Sequence, residues 1–236
     1  MQPAVTVSAR PAPVELRPGR TAVIVVDMQH DFASEGGMFD RAGIDLTAIK
    51  EIVGPIAEVL DAARASGMLV VYLKMAFSAD LSDAGYPDGP TWLKHIPLRA
   101  GDTVAAPDGS ASRILIRDSW NTDIVEELAP MAGDVVLYKS RYSGFYETEL
   151  EATLRAHQID TIVFVGATTS VCVESTVRDA TFRDFHCLVL SDCTAEPIGA
   201  DTPRSNHDAS LHVLELLFAS ISDSRSLLSS LREAAV

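Results

Sequence analysis

Three residues of complementary chemistry each come after an apolar run. Asp27 directly follows Thr21-Ala22-Val23-Ile24-Val25-Val26, and Lys139 directly follows Val135-Val136-Leu137-Tyr138. Cys172 follows Ile162-Val163-Phe164-Val165 after a stretch of mostly small and hydroxyl residues, Gly166 to Val171. Each has a plain structural reading. A lone Cys is often a small buried hydrophobe, an Asp after a strand often caps a turn, and a Lys there is often solvated. Together, however, they form a nucleophile with its activators. A free thiol titrates near ~8.5, and one cation at ~4 Å with an effective dielectric of ~20 is worth about 4 kcal/mol, or ~3 pK units. An ionised Asp27 at similar distance offsets much of that, so the three titrate as one coupled system. The expected cycle has Asp27 take the thiol proton as Cys172 attacks a carbonyl, then deliver it to the leaving amine. Lys139 keeps the site electropositive. Two donors must face the oxyanion, and backbone N–H groups of the Ala167–Cys172 turn are the candidates.

For these groups to meet, their strands must be parallel neighbours. The apolar run at 161–165, the turn and a polar-apolar pattern through Arg183 read as strand, tight turn and helix. That places Cys172 at the carboxyl end of a strand and beside a helix N-terminus, a setting that favours a thiolate. Further strands are expected at Thr21–Val26, Met68–Leu73, Val135–Tyr138 and His186–Leu190, with a short last one near Ser220-Ile221. Helices are expected from a cap at Asp45 or Thr47 to Ala65, from Thr122 through 123–128, over 147–157, and within 201–219. Gly67 stops the first of these helices, and Cys187 reads as core. The alternation predicts an α/β fold: a single-domain doubly wound, mostly parallel sheet with helices on both faces. Residues 1–20, with Pro3, Pro11, Pro13 and Pro18, read as an extended N-terminal arm ahead of one domain at 21–236. Residues 75–112 are the least regular stretch, and Tyr86, Trp92 and His95 there either cover a pocket or pack under the loop.

At 236 residues the chain is long enough for one well-buried core. Its net charge is 19 − 33 = −14, which disfavours nucleic acid and anionic membrane as partners. The three cysteines, Cys172, Cys187 and Cys193, form no C-x-x-C pair, which fits a cytoplasmic protein. That spacing also argues against a thiol redox protein. Scattered histidines offer no metal-ligand spacing, so neither metal nor other cofactor is expected. No apolar run reaches membrane-spanning length, and residues 1–20 hold no signal-peptide core.

Val26-Asp27-Met28-Gln29, Lys139 at a strand end, and Gly166-Ala167-Thr168-Thr169-Ser170-Val171-Cys172-Val173-Glu174-Ser175-Thr176 resemble the isochorismatase-like cysteine hydrolases over about residues 15–225. Within that superfamily, Lys139 to Phe145 and Cys172 to Thr176 look most like the ureidoacrylate amidohydrolases, with biuret, triuret and N-carbamoylsarcosine hydrolases as near relatives. The resemblance implies a hydrolase of the C–N bond in a small ureido or carbamoyl compound, working through a thioester. Cys172 would be nucleophile, Asp27 general base and acid, and Lys139 the third member. The oxyanion donors would be the backbone N–H groups of Thr168 and Cys172, with a cis peptide at Ala167–Thr168. It also implies a homotetramer or, alternatively, a homodimer. A biuret or triuret hydrolase is the second reading, and a non-catalytic binding module the third. An intact Asp27-Lys139-Cys172 set speaks against the third. Three positions depart from the family pattern. His30 stands where Asn is usual, Ser140 stands for Pro, and Leu73 to Phe77 lacks the Asp and His that hold a metal in nicotinamidases. From their spacing to Asp27 and Lys139, Phe32 and Tyr142 are expected to wall the substrate pocket, with Trp92 folding over it. For Phe32 and Trp92 the alternative is a core aromatic.

Overall fold

A computed structural model describes residues 3–199 and 202–234. The strands are β1 (Val5–Val7), β2 (Val14–Leu16), β3 (Thr21–Val26), β4 (Leu69–Met75), β5 (Thr103–Ala105), β6 (Ala111–Arg113), β7 (Val135–Lys139), β8 (Thr161–Ala167), β9 (His186–Ala195) and β10 (Ser220–Ser222). The helices are α1 (His30–Ala33), α2 (Met38–Arg41), α3 (Thr47–Glu51), α4 (Val53–Ala65), α5 (Pro90–His95), α6 (Leu150–Ala156), α7 (Glu174–Thr181), α8 (Asn206–Leu217) and α9 (Ser224–Ala234). Six strands form one parallel sheet in the order β10-β9-β8-β3-β4-β7. Chain connections leave β3 toward β4 and β8 toward β9, in opposite directions. The crevice beyond their carboxyl ends is therefore a topological switch point, where such sheets bind ligands.

Alternation along the central strands feeds two cores. Val23 and Val25 of β3 join Val163 and Val165 of β8 on one face, under α4 and α9. Ala22, Ile24 and Val26 join Ile162 and Phe164 on the other, with Leu150 and Leu154 of α6, Val177 of α7 and Leu214 of α8. Burial on both faces explains why these strands read as unbroken apolar runs. The doubly wound α/β sheet expected from the sequence is thus the observed fold.

Several boundaries differ, each for a physical reason. The long helix expected up to Ala65 breaks into α3 and α4. Pro55 has no N–H for the Glu51 carbonyl and its ring clashes there, so α3 ends at Glu51. Asp45 accepts from the Thr47 N–H at 2.9 Å and from its hydroxyl at 2.7 Å. Thr122 caps no helix. Its hydroxyl donates to the Ile116 carbonyl at 3.0 Å, and 123–128 holds only a 3-10 turn, Glu126–Leu128. The irregular 75–112 stretch contains α5 and the β5–β6 hairpin. The proline-rich segment expected as an extended arm is the β1–β2 hairpin. Val5, Val7 and Leu16 of this hairpin are buried, and Arg10 exchanges backbone hydrogen bonds with Ile221 at 2.8 and 2.9 Å. α9 went unforeseen, although Leu227, Leu228 and Leu231 sit at helical spacing and are buried.

Candidate active site

The carboxyl ends of β3, β7 and β8 bring Asp27, Lys139 and Cys172 together. Asp27 leaves β3 in the left-handed region, at φ 52°, which Asp tolerates better than most residues. Its N–H donates to the Leu73 carbonyl at 2.9 Å, and its Oδ1 accepts from the Met75 N–H at 2.9 Å. Gln29 braces the same strand end with its side-chain amide, which pairs with both the N–H and the C=O of Met75 at 2.9 Å. Lys139 places its Nζ 2.8 Å from Asp27 Oδ2 and 3.3 Å from Cys172 Sγ. All three groups are buried, Asp27 and Lys139 being 1% exposed and Cys172 6%.

β8 approaches β3 so closely at its end that a Cβ on Gly166 (φ 113°) would overlap the Val26 carbonyl oxygen. The Ala167–Thr168 peptide bond is cis. One π-helical turn, Thr169–Val173, then carries Cys172 into α7. Glu196, itself buried, accepts from both the N–H and the hydroxyl of Ser170, and its other oxygen accepts from the Ile198 N–H at 3.0 Å. His207 Nδ1 lies 2.9 Å from the Thr169 hydroxyl. These two contacts clamp the turn on the side away from β3.

Burial dominates the electrostatics. It pushes Asp27 above the usual carboxylate range, while the Lys139 charge pulls the other way. It also pushes the Cys172 thiol up; Asp27 adds to that and Lys139 only partly opposes it. Burial works against the Lys139 charge too, but Asp27 and Cys172 outweigh it and hold Lys139 above its ordinary value. The thiolate expected from a helix N-terminus is therefore not the resting form. Cys172 sits in a π-turn, two residues ahead of α7, and the low dielectric favours a protonated thiol beside an ion pair.

A cavity of about 130 Å³ opens onto Asp27 and Cys172. Phe32, Tyr142, Ala167 and Thr168 line it, as do Met38, Phe39, Leu98 and Leu115. Trp92, expected to fold over it, does not. It packs edge-on against Phe77, with centroids 6.4 Å apart, and is not among the residues that line the cavity. Tyr86 is 81% exposed. His95 does reach the cavity wall. It is buried, its Nδ1 lies 2.7 Å from the Thr91 carbonyl oxygen, and its ring tilts over Tyr142 at 5.9 Å. Asp31 went unsingled in the sequence. Fully buried, it accepts from the N–H groups of Met38 and Leu115 and from the Asn121 amide, so it knots together three segments of the wall. The signal was a charged residue inside an otherwise apolar Asp31-Phe32-Ala33 turn. Among the described residues, no three His, Cys, Asp or Glu side chains gather in a metal-holding group.

Residues 21–226 match the isochorismatase domain family. The chain is 40% identical over 219 residues to ureidoacrylate amidohydrolase RutB of Methylobacterium radiotolerans, covering 93% of this chain and 82% of that protein. Among solved structures, it is similar to a cysteine hydrolase from Pseudomonas syringae, with TM-score 0.77, 30% identity and 99% of each chain covered. It is also similar to N-carbamoylsarcosine amidase from Thermoplasma acidophilum, with TM-score 0.63, 29% identity, and 87% of this chain and 96% of that one covered. With the fold, the switch-point cavity and these matches in agreement, the chain belongs to the isochorismatase family of hydrolases.

Proposed function

We propose that this protein is a cysteine amidohydrolase that cleaves the C–N bond of a small ureido or carbamoyl compound through a thioester. The observation that carries this reading is the Lys139 ammonium within reach of both Asp27 Oδ2 and Cys172 Sγ at the floor of a small cavity. Asp27 Oδ2 faces the Lys139 ammonium at 2.8 Å and, as a carboxylate oxygen, keeps a further lone pair able to take a proton. The thiol gives its proton to Asp27 as Sγ bonds to the substrate carbonyl carbon, and the carbonyl electron pair moves onto oxygen. The backbone N–H groups of Thr168 and Cys172 are the candidates to hold that oxyanion. As the tetrahedral centre collapses, the C–N bond breaks and the amine leaves with the proton from Asp27. Water then attacks the S-carbamoyl thioester, its proton passing to Asp27, and the C–S bond breaks to restore the thiol. Phe32 and Tyr142 serve as walls for a planar ureido group. Relatives named for ureidoacrylate and N-carbamoylsarcosine support the substrate class.

The same proposal includes a cytoplasmic enzyme, all three cysteines being free, that assembles as a homotetramer or homodimer. Cys172→Ser tests the chemistry. It should keep its far-UV circular dichroism and lose at least about 1,000-fold in kcat. Retention of ammonia release by that variant refutes the mechanism.

A further inference from the structure

Taking the amide-hydrolase reading as its basis, we infer that the site serves an uncharged ureido or carbamoyl compound whose remaining part is apolar, not one bearing a carboxylate. Beyond the reacting groups, the cavity wall is made by Met38, Phe39, Leu98, Leu115, Val171 and Ile198. Among the described residues that line it there is no Arg or Lys. Four cations on the surrounding elements have partners of their own. Lys139 is shared by Asp27 and Cys172. Arg141 donates to the carbonyls of Asp83 and Ser140 and lies over the Tyr146 ring. Arg117 pairs with Asp83, and Lys74 with Asp123.

His95 is the one remaining side chain of the wall that could become a cation. Burial lowers its pKa, and Lys139 and Arg141 lower it further against the pull of the Thr91 carbonyl. With Nδ1–H directed at that carbonyl, Nε2 is left as an acceptor for a substrate N–H. Tyr142 supplies the other polar tip. A carboxylate entering this cavity sheds water, finds no Arg or Lys among the lining residues, and lies near the Asp27 carboxylate, which already holds the Lys139 ammonium. A remainder made only of amides, as in biuret, leaves N–H and C=O groups unpaired against Leu and Phe side chains. A short apolar remainder meets neither obstacle and suits the volume of about 130 Å³.

The test is ammonia release by the full-length wild-type protein from three compounds: ureidoacrylate, its uncharged methyl ester, and biuret, each repeated with Cys172→Ser. The ester should exceed both others in kcat/KM by at least about tenfold. Leu98→Arg, which offers the missing cation, should shift the ratio toward ureidoacrylate by at least about tenfold. Ile198→Arg, on the exposed rim, serves the same purpose where Leu98→Arg fails to fold. Ureidoacrylate or biuret turned over as well as the ester overturns the inference while leaving the cysteine mechanism standing. So does an Arg variant with unchanged preference. No Cys172-dependent release from any compound overturns the mechanism and this inference with it.

Discussion

At the residue scale, the arrangement lets a negative charge move without losing its partner. Lys139 Nζ is 2.8 Å from Asp27 Oδ2 and 3.3 Å from Cys172 Sγ. Passing the charge from oxygen to sulfur weakens its attraction to the ammonium by only about 1 kcal/mol at an effective dielectric of ~20. A lysine that reached Asp27 alone would oppose the transfer by several times that amount. The pH dependence follows from the same geometry. Asp27 must be ionised to accept the thiol proton, and burial raises its pKa, so activity should be lost as pH falls through a value above the ordinary ~4. Lys139 is held above its usual value, so its deprotonation should cause no loss below about pH 10. A profile of kcat/KM against pH checks both limbs. An acid midpoint at or below ~4 would show that Asp27 is not the base.

At the element scale, what was legible in the sequence was whatever depends on a continuous apolar strand. The fully buried runs of β3 and β8, and the apolar run of the half-exposed edge strand β7, put Asp27, Lys139 and Cys172 at one sheet edge. The cavity wall was less legible, because it comes from 30–42 and 92–115, whose short elements show no periodicity. Asp31 lies in that wall. Burial pushes its carboxyl up to about 7, against the donors from Asn121, Leu115 and Met38. Its contacts span α1, α2 and the segment after β6, so Phe32, Phe39 and Leu115 owe their positions to one side chain. Asp31→Ala leaves two buried N–H groups and one amide without an acceptor, and should cost about 2–4 kcal/mol of stability. It should also raise KM more than it lowers kcat, since Asp27, Lys139 and Cys172 make no hydrogen bond to Asp31. Urea denaturation and steady-state kinetics read the two effects. An unchanged KM would mean that the wall is held by packing alone.

At the scale of the whole molecule, one cluster of exposed apolar side chains lies along α8. Val213, Leu216 and Leu217 lie at i, i+3 and i+4 along α8, with exposures of 36%, 65% and 70%. Phe182, 70% exposed, packs edge-on against Phe218 just past that helix, with centroids 6.0 Å apart. The other face of α8, through Leu211 and Leu214, is already spent on the sheet, so this outward face has no partner within the described residues of the chain. Contiguous exposed apolar patches of this kind mark association surfaces. The N-terminal hairpin, in contrast, satisfies its own backbone against Ile221 and buries Val7 and Leu16 at home, so it supplies no motive for assembly. Self-association is therefore expected through α8 and Phe182. Leu216→Glu combined with Leu217→Glu adds two charges to a chain already at −14 and removes the apolar face. The double variant should sediment as a monomer where the wild type sediments as a dimer or tetramer. Its intrinsic fold should change by no more than about 0.5 kcal/mol per site, because both side chains are solvent-facing in the protomer. A wild-type protein that is monomeric at micromolar concentration, or a double variant that remains assembled, would place the subunit contact elsewhere or remove it.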